Sequence, residues 1–156
     1  MNIKDAMSCF TTGVTVVTTY AHGQDWGMTC NSFNTVSLEP PLVLWSVRKN
    51  SLSHEAFVNS GGYVVNVLKA SQQDLALRFA QGSQAERFNG LPVQRGVDQH
   101  PRLEGVLAWF DCRVTQVVSA GDHDILIGQV QDFGMQAGQG LAYAQRQFGV
   151  LAPQED

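Results

Sequence analysis

Charge is scarce in this chain. Charged residues fill 15% of its 156 positions and hydrophobic residues 44%, the balance of a chain that buries a core rather than staying disordered. The net charge is −4, with no basic stripe, which argues against a nucleic-acid partner. Long apolar runs are missing too. Nothing approaches the ~20 residues of a membrane span. Residues 1–10 carry Lys4 and Asp5 where a signal peptide would be apolar, so we expect a cytoplasmic protein with no membrane partner.

Cysteine is sparse, odd in number and scattered, at Cys9, Cys30 and Cys112. That is no disulfide framework, and no CxxC pair points to zinc. His22, His54, His100 and His123 lack ligand spacing, so no metal is expected. A Rossmann fingerprint is also absent: Gly138-Gln139-Gly140 has neither a third glycine nor a helix after it. Any nucleotide must be held some other way.

What is present reads mostly as strands. Val and Thr dominate residues 14–20, a turn follows at 21–25, and residues 26–30 return antiparallel. Residues 42–47 form a short apolar strand, 63–68 another, and 106–118 alternate like a long strand with one buried face. Gly121-Asp122-His123-Asp124 turns that strand back into 125–133. Helices are expected over 2–10, from Asn50 or Ser51 to Asn59, and from a capping box at Ser71–Asp74 through Phe79. Residues 81–102 read as a long irregular excursion, and a last strand lies within 141–151. Roughly six strands joined by hairpins, with short helices inserted, predict a mainly β fold, an antiparallel barrel of one domain over residues 1–156.

One stretch suggests chemistry. Thr29, Asn31, Ser32, Asn34, Thr35 and Ser37 set neutral hydrogen-bonding groups before the strand at 42–47, and Lys49, Asn50 and Ser51 follow it. A flavin ring is edged by carbonyl and nitrogen atoms that uncharged donors satisfy without burying a charge. Its phosphate calls for Lys or Arg with hydroxyls or N–H groups at a helix start. The same residues also read as a polar turn, a strand and a capped helix with surface cations. On the residues alone both readings stay open.

The runs 10–19 (FTTGVTVVTT), 27–33 (GMTCNSF), 36–44 (VSLEPPLVL), 63–68 (YVVNVL), 78–80 (RFA) and 120–130 (AGDHDILIGQV) resemble the short-chain flavin reductase family, almost end to end. The resemblance implies an FMN-binding split β-barrel of Greek-key type and a homodimer. It implies an NAD(P)H-dependent flavin reductase that passes hydride from nicotinamide C4 to flavin N5 and supplies reduced flavin to a partner monooxygenase. FMN (or FAD) would be the flavin, and NADH or NADPH the co-substrate.

Carried over by residue, Thr29, Cys30, Asn31, Ser32, Thr35 and Val36 would border the flavin ring and ribityl chain. Lys49, Asn50 and Ser51 would approach the phosphate, with Arg78 and Phe79 closing the same end. His123 and Phe148 would meet the nicotinamide nucleotide, and no catalytic side chain is required. Cys30 stands where the family often has alanine. Residues 143–148 (YAQRQF) depart from its Tyr-x-x-Gly-x-Tyr pattern. The alternatives are a flavin- or haem-binding protein on the same barrel without reductase activity, or an enzyme of the pyridoxamine-phosphate-oxidase type. Apart from the resemblance, Phe10, Phe33 and Phe79 read as core, His123 as a solvated turn residue, Trp26, Trp45 and Trp109 as packing, and Cys112 as inert.

Overall fold

In a computed structural model, residues 1–152 and 154 are described. In chain order they form α1 (Ile3–Ser8), β1 (Thr12–Gly13), β2 (Thr15–Ala21), β3 (Gln24–Cys30), β4 (Asn34–Leu38), β5 (Pro41–Arg48), α2 (His54–Asn59), β6 (Gly62–Val67), α3 (Gln73–Arg78), α4 (Gln84–Phe88), β7 (Val93–Arg95), β8 (Pro101–Leu103), β9 (Ala108–Ala120), β10 (His123–Met135), β11 (Leu141–Ala144) and β12 (Gln147–Val150). Seven strands make one antiparallel sheet in the order β3-β2-β6-β9-β10-β5-β4. Its edge strands are consecutive in the chain, and the connection between them is too short to reach across a flat seven-stranded sheet. The sheet therefore curls until its edges approach. Among the described residues no ladder joins β3 to β4, so the barrel is split along that seam.

The hairpins lie where the pattern places them. Ala21 pairs with Gln24 across His22 and Gly23, whose φ of +54° and +74° make the turn that suits a two-residue hairpin. Ala120 pairs with His123 across Gly121 and Asp122. Inside the barrel, Trp45, Phe57 and Tyr63 are fully buried. Trp45 meets Phe57 edge-on at 4.8 Å.

A second core lies on the outer face of β2 and β6, where Val14, Val16 and Leu68 pack against Ala76, Phe79, Leu103 and Leu141. Both faces of β2 are thus buried, which is why its Val/Thr run is nearly continuous.

Four expectations need correction. Helix α2 starts at His54 because residues 49–53 first make a turn: Ser51 N–H donates to Arg48 O (3.1 Å), and His54 N–H donates to Ser51 O (3.1 Å). The capping box at Ser71–Asp74 does not form. A 3-10 turn, Ala70–Gln72, precedes α3, and Gln72 instead takes the Lys69 N–H (2.8 Å). Residues 81–102 are not irregular, since they hold α4 and the paired strands β7 and β8. Ser83 caps α4 by accepting from Glu86 N–H (3.2 Å). The hairpin is held by the buried side chain of Asn66, which accepts from Leu103 N–H (3.0 Å) and donates to Val16 O (2.9 Å). Phe10 is 78% exposed and lies outside either core. Phe79 is fully buried, while Phe33 is partly buried and stacks on Phe110.

Asp111 on β9 is a buried carboxylate whose Oδ2 accepts from Val97 N–H (2.7 Å). Burial pushes its pKa up to about 6; the Val97 N–H opposes the rise, Asp132 and Asp98 add to it, and Arg102 opposes it. The folded state therefore holds this proton more tightly than the unfolded chain. The contribution of Asp111 is most favourable below its unfolded value and is lost as pH rises toward and past 6. Asp111→Asn removes that titration and keeps an acceptor for Val97. Denaturant melts should show the variant gaining about 1–3 kcal/mol over the parent between pH 4 and pH 8. A pH-independent difference would contradict this assignment.

Candidate functional site

The end of β3 delivers Thr29, Cys30 and Asn31 into a pocket of about 380 Å³ whose other walls include Ala76, Leu77 and Ala80 from the α3 region and Tyr143 and Phe148 from β11 and β12. Two bonds fix α3 to this strand: Thr29 N–H donates to Phe79 O (3.1 Å), and its hydroxyl donates to Ala76 O (2.5 Å). Thr15, opposite Cys30 in the ladder, donates to Cys30 O (2.9 Å) and touches its sulfur (3.2 Å). Desolvation pushes the Cys30 thiol up, against the Thr15 and Ser32 hydrogen bonds. The thiol is thus a neutral wall element and not a thiolate nucleophile.

Asn31 is exposed and lines two adjoining pockets. Ser32 instead clamps the seam, accepting from Ser46 N–H (3.0 Å) and donating to Ser46 O (3.3 Å). Thr35 lies on β4, where the register shifts before Ser37, and Val36 at that irregularity is 48% exposed. Part of the stretch that also read as a polar turn is therefore an edge strand.

The cationic residues gather elsewhere. His123 pairs with Arg48 across β10 and β5, and Lys49 N–H donates to Asp122 O (2.9 Å). The Lys49 ammonium donates to Ser119 Oγ (2.5 Å) and forms no ion pair among the described residues. Asn50 is exposed, and Ser51 Oγ lies 3.0 Å from Ser53 Oγ. His123 Nδ1 sits 2.7 Å from Asp122 Oδ1, a hydrogen bond that holds the Asp122 carboxyl below its ordinary value. Behind this cluster, His54 Nε2 meets Asp124 Oδ2 at 2.6 Å, a pair the sequence reading missed. Its members lie 70 positions apart and carry no spacing signal.

The structure thus brings Thr29, Cys30, Asn31 and Phe148 together in one pocket, and Lys49 and His123 in one cluster. Arg78 does not join them. Its guanidinium donates to the carbonyls of Glu86 on α4 and Asn89 at the end of that helix. Phe79 is buried beneath Thr29. The contribution of Ala76, Leu77 and Ala80 to the pocket also escaped the sequence reading, because those positions look like the apolar face of any packed helix.

These groups suit a flavin. Apolar walls with the uncharged amide of Asn31 among them fit a ring whose polar edge needs hydrogen-bonding partners. Lys49, which has no ion-pair partner among the described residues, is a cation that can meet a phosphate. The chain belongs to the flavin-reductase-like family: a family model described as "Flavin reductase like domain" matches residues 7–152.

Among its relatives, the reductase component of a flavin-dependent trigonelline monooxygenase from Acinetobacter baylyi is 44% identical over 90% of this chain and 46% of its own length. An FMN reductase (NADH), SmoA, of Agrobacterium fabrum is 39% identical over 98% of this chain and 87% of its own. The NADH:FAD oxidoreductase SgcE6 of Streptomyces globisporus superposes with a TM-score of 0.91 at 33% identity, covering 99% of this chain and 88% of that one. The chain spans about half the length of two of the curated relatives it matches.

Proposed function

We propose that this chain is an NAD(P)H-dependent flavin reductase whose reduced flavin serves a partner monooxygenase. The observation that carries the reading is the pocket at Thr29–Asn31, lined mostly by apolar side chains together with the neutral amide of Asn31 and the guanidinium of Arg146. Relatives named as a monooxygenase reductase component and as an NADH-dependent FMN reductase support it. When both are bound, nicotinamide supplies hydride to the flavin, so the chemistry is theirs and the protein's part is placement.

Asn31 and the backbone of residues 29–32 would meet the ring edge, and Thr35 and Val36 would flank the ribityl chain. Lys49, with Asn50 and Ser51, would neutralise the flavin phosphate. His123 and Phe148 would position the nicotinamide nucleotide. They lie on separate elements and share no pocket within one chain, which fits a site completed by a second subunit. Phe133 and Met135 on β10 and Leu38 at the end of β4 are 68%, 82% and 95% exposed, apolar surface that a homodimer would bury. We assign the protein to the cytoplasm; no helix among the described residues is long and apolar enough to cross a membrane.

The test is turnover. Purified protein supplied with NADH or NADPH and with FMN or FAD should oxidise the nicotinamide in at least one of the four combinations, with flavin required. Oxidation no faster than in a protein-free control in every combination would overturn the reading.

A further inference from the structure

The tip of the β11–β12 hairpin is built against the grain of its sequence. Ala144 pairs with Gln147, leaving Gln145 and Arg146 as a two-residue turn with φ of +51° and +61°. That conformation favours Asn and Gly, and a long side chain held in it is a conformational cost that needs a compensating role.

Part of the compensation is docking on the N-terminal helix: Gln145 N–H donates to Ser8 O (2.6 Å), and Arg146 Nη2 donates to Asp5 Oδ1 (2.9 Å). Docking through the backbone, however, does not require arginine. The Arg146–Asp5 pair is open to water, with side chains 61% and 42% exposed, and so holds the tip only weakly. Meanwhile Arg146 lines the pocket beside Tyr143 and Phe148, together with Asn31. Among the described residues it is the only charged one in that lining, and it is remote in the chain from Lys49.

Resting on the reductase reading above, we propose that Arg146 recognises a phosphate group of the nucleotide held in this pocket, and that Asp5 occupies the guanidinium until that phosphate displaces it. A planar guanidinium binds phosphate oxygens in pairs and prefers a dianion to one carboxylate. The phosphate belongs either to the flavin mononucleotide or to the nicotinamide dinucleotide.

Binding experiments separate these sources and isolate the role. FMN is compared with riboflavin by flavin fluorescence, and NAD⁺ and NADP⁺ with nicotinamide riboside by equilibrium dialysis. Arg146→Gly should weaken the phosphate-bearing ligand of one or both pairs by about five- to twentyfold and spare its phosphate-free counterpart. Because glycine suits the turn, the same variant should melt no lower than the parent. Arg146→Lys should retain part of the affinity. Asp5→Asn, which keeps an acceptor for the helix start, should tighten binding by about two- to fivefold at low salt, with the gain fading as salt is added.

A loss confined to FMN assigns the flavin phosphate, and a loss confined to the dinucleotides assigns theirs. Equal affinities in parent and Arg146→Gly, or equal losses with and without phosphate, overturn the proposal while leaving the reductase reading intact. A parent protein that binds none of these ligands overturns both.

Discussion

Lys49→Ala should weaken FMN binding by about ten- to a hundredfold and leave riboflavin nearly unchanged. A charge-assisted contact to phosphate is worth roughly 1.5–3 kcal/mol, which converts to that range. The reason to expect the full effect lies in the surroundings of Lys49. Its ammonium donates to Ser119 Oγ and to no carboxylate among the described residues, so no intramolecular ion pair competes for it. Its backbone is held by the Asp122 carbonyl, so truncating the side chain should not shift the turn. Titration by flavin fluorescence measures both ligands in one protein. Equal losses for FMN and riboflavin would remove Lys49 from a phosphate site.

Gly128→Ala should be among the most destabilising single substitutions in the barrel. Gly128 is a buried position of β10 paired with Val43 on one side and Val114 on the other. A Cβ there would stand 2.5 Å from Tyr63 Oη and 2.9 Å from Cys112 Cβ. Neither neighbour can give way easily: Tyr63 is fully buried and donates to Leu126 O (3.0 Å), and Cys112 is buried as well.

Overpacking of a filled core costs roughly 1–3 kcal/mol and occasionally more. Loss of the tyrosine hydrogen bond would leave a buried hydroxyl unpaired, at about another 1 kcal/mol or more. For a chain of this size the melting temperature should fall by about 5–12 °C. Gly149→Ala is the control, since a Cβ there meets nothing within 4 Å, and it should melt within about 2 °C of the parent. Similar melting for the two variants would show that β10 can move aside.

Local pattern determined a good deal of this protein. Val/Thr runs and alternation define β2, β6, β9 and β10, because a strand's side-chain period is written in consecutive residues. Turn residues mark the hairpins at His22-Gly23 and Gly121-Asp122, because backbone conformation there depends on one or two side chains. The neutral run at 29–37 and the cation after β5 are legible for the same reason: both halves of the idea lie within one short stretch. Resemblance supplied the family, and a match over residues 7–152 agrees with it.

Long-range burial decided the rest. Nothing near residues 93–103 announces a hairpin, since those strands exist by packing on a core and by the reach of Asn66, 37 positions away, to Leu103. Arg78, adjacent in sequence to the buried Phe79, turns to the carbonyl of Glu86 on α4 and not to the phosphate end that the family resemblance implied for it. The pocket is assembled only when the curl of the sheet and the second core bring Tyr143, Arg146 and Phe148 against Thr29–Asn31. Side-chain periodicity acts over a few residues, whereas a binding site forms where surfaces distant in the chain exclude water together. The sequence by itself therefore determined the long strands of the barrel and the chemical character of the candidate site, and the tertiary structure alone decided the β7–β8 hairpin and which residues line the pocket.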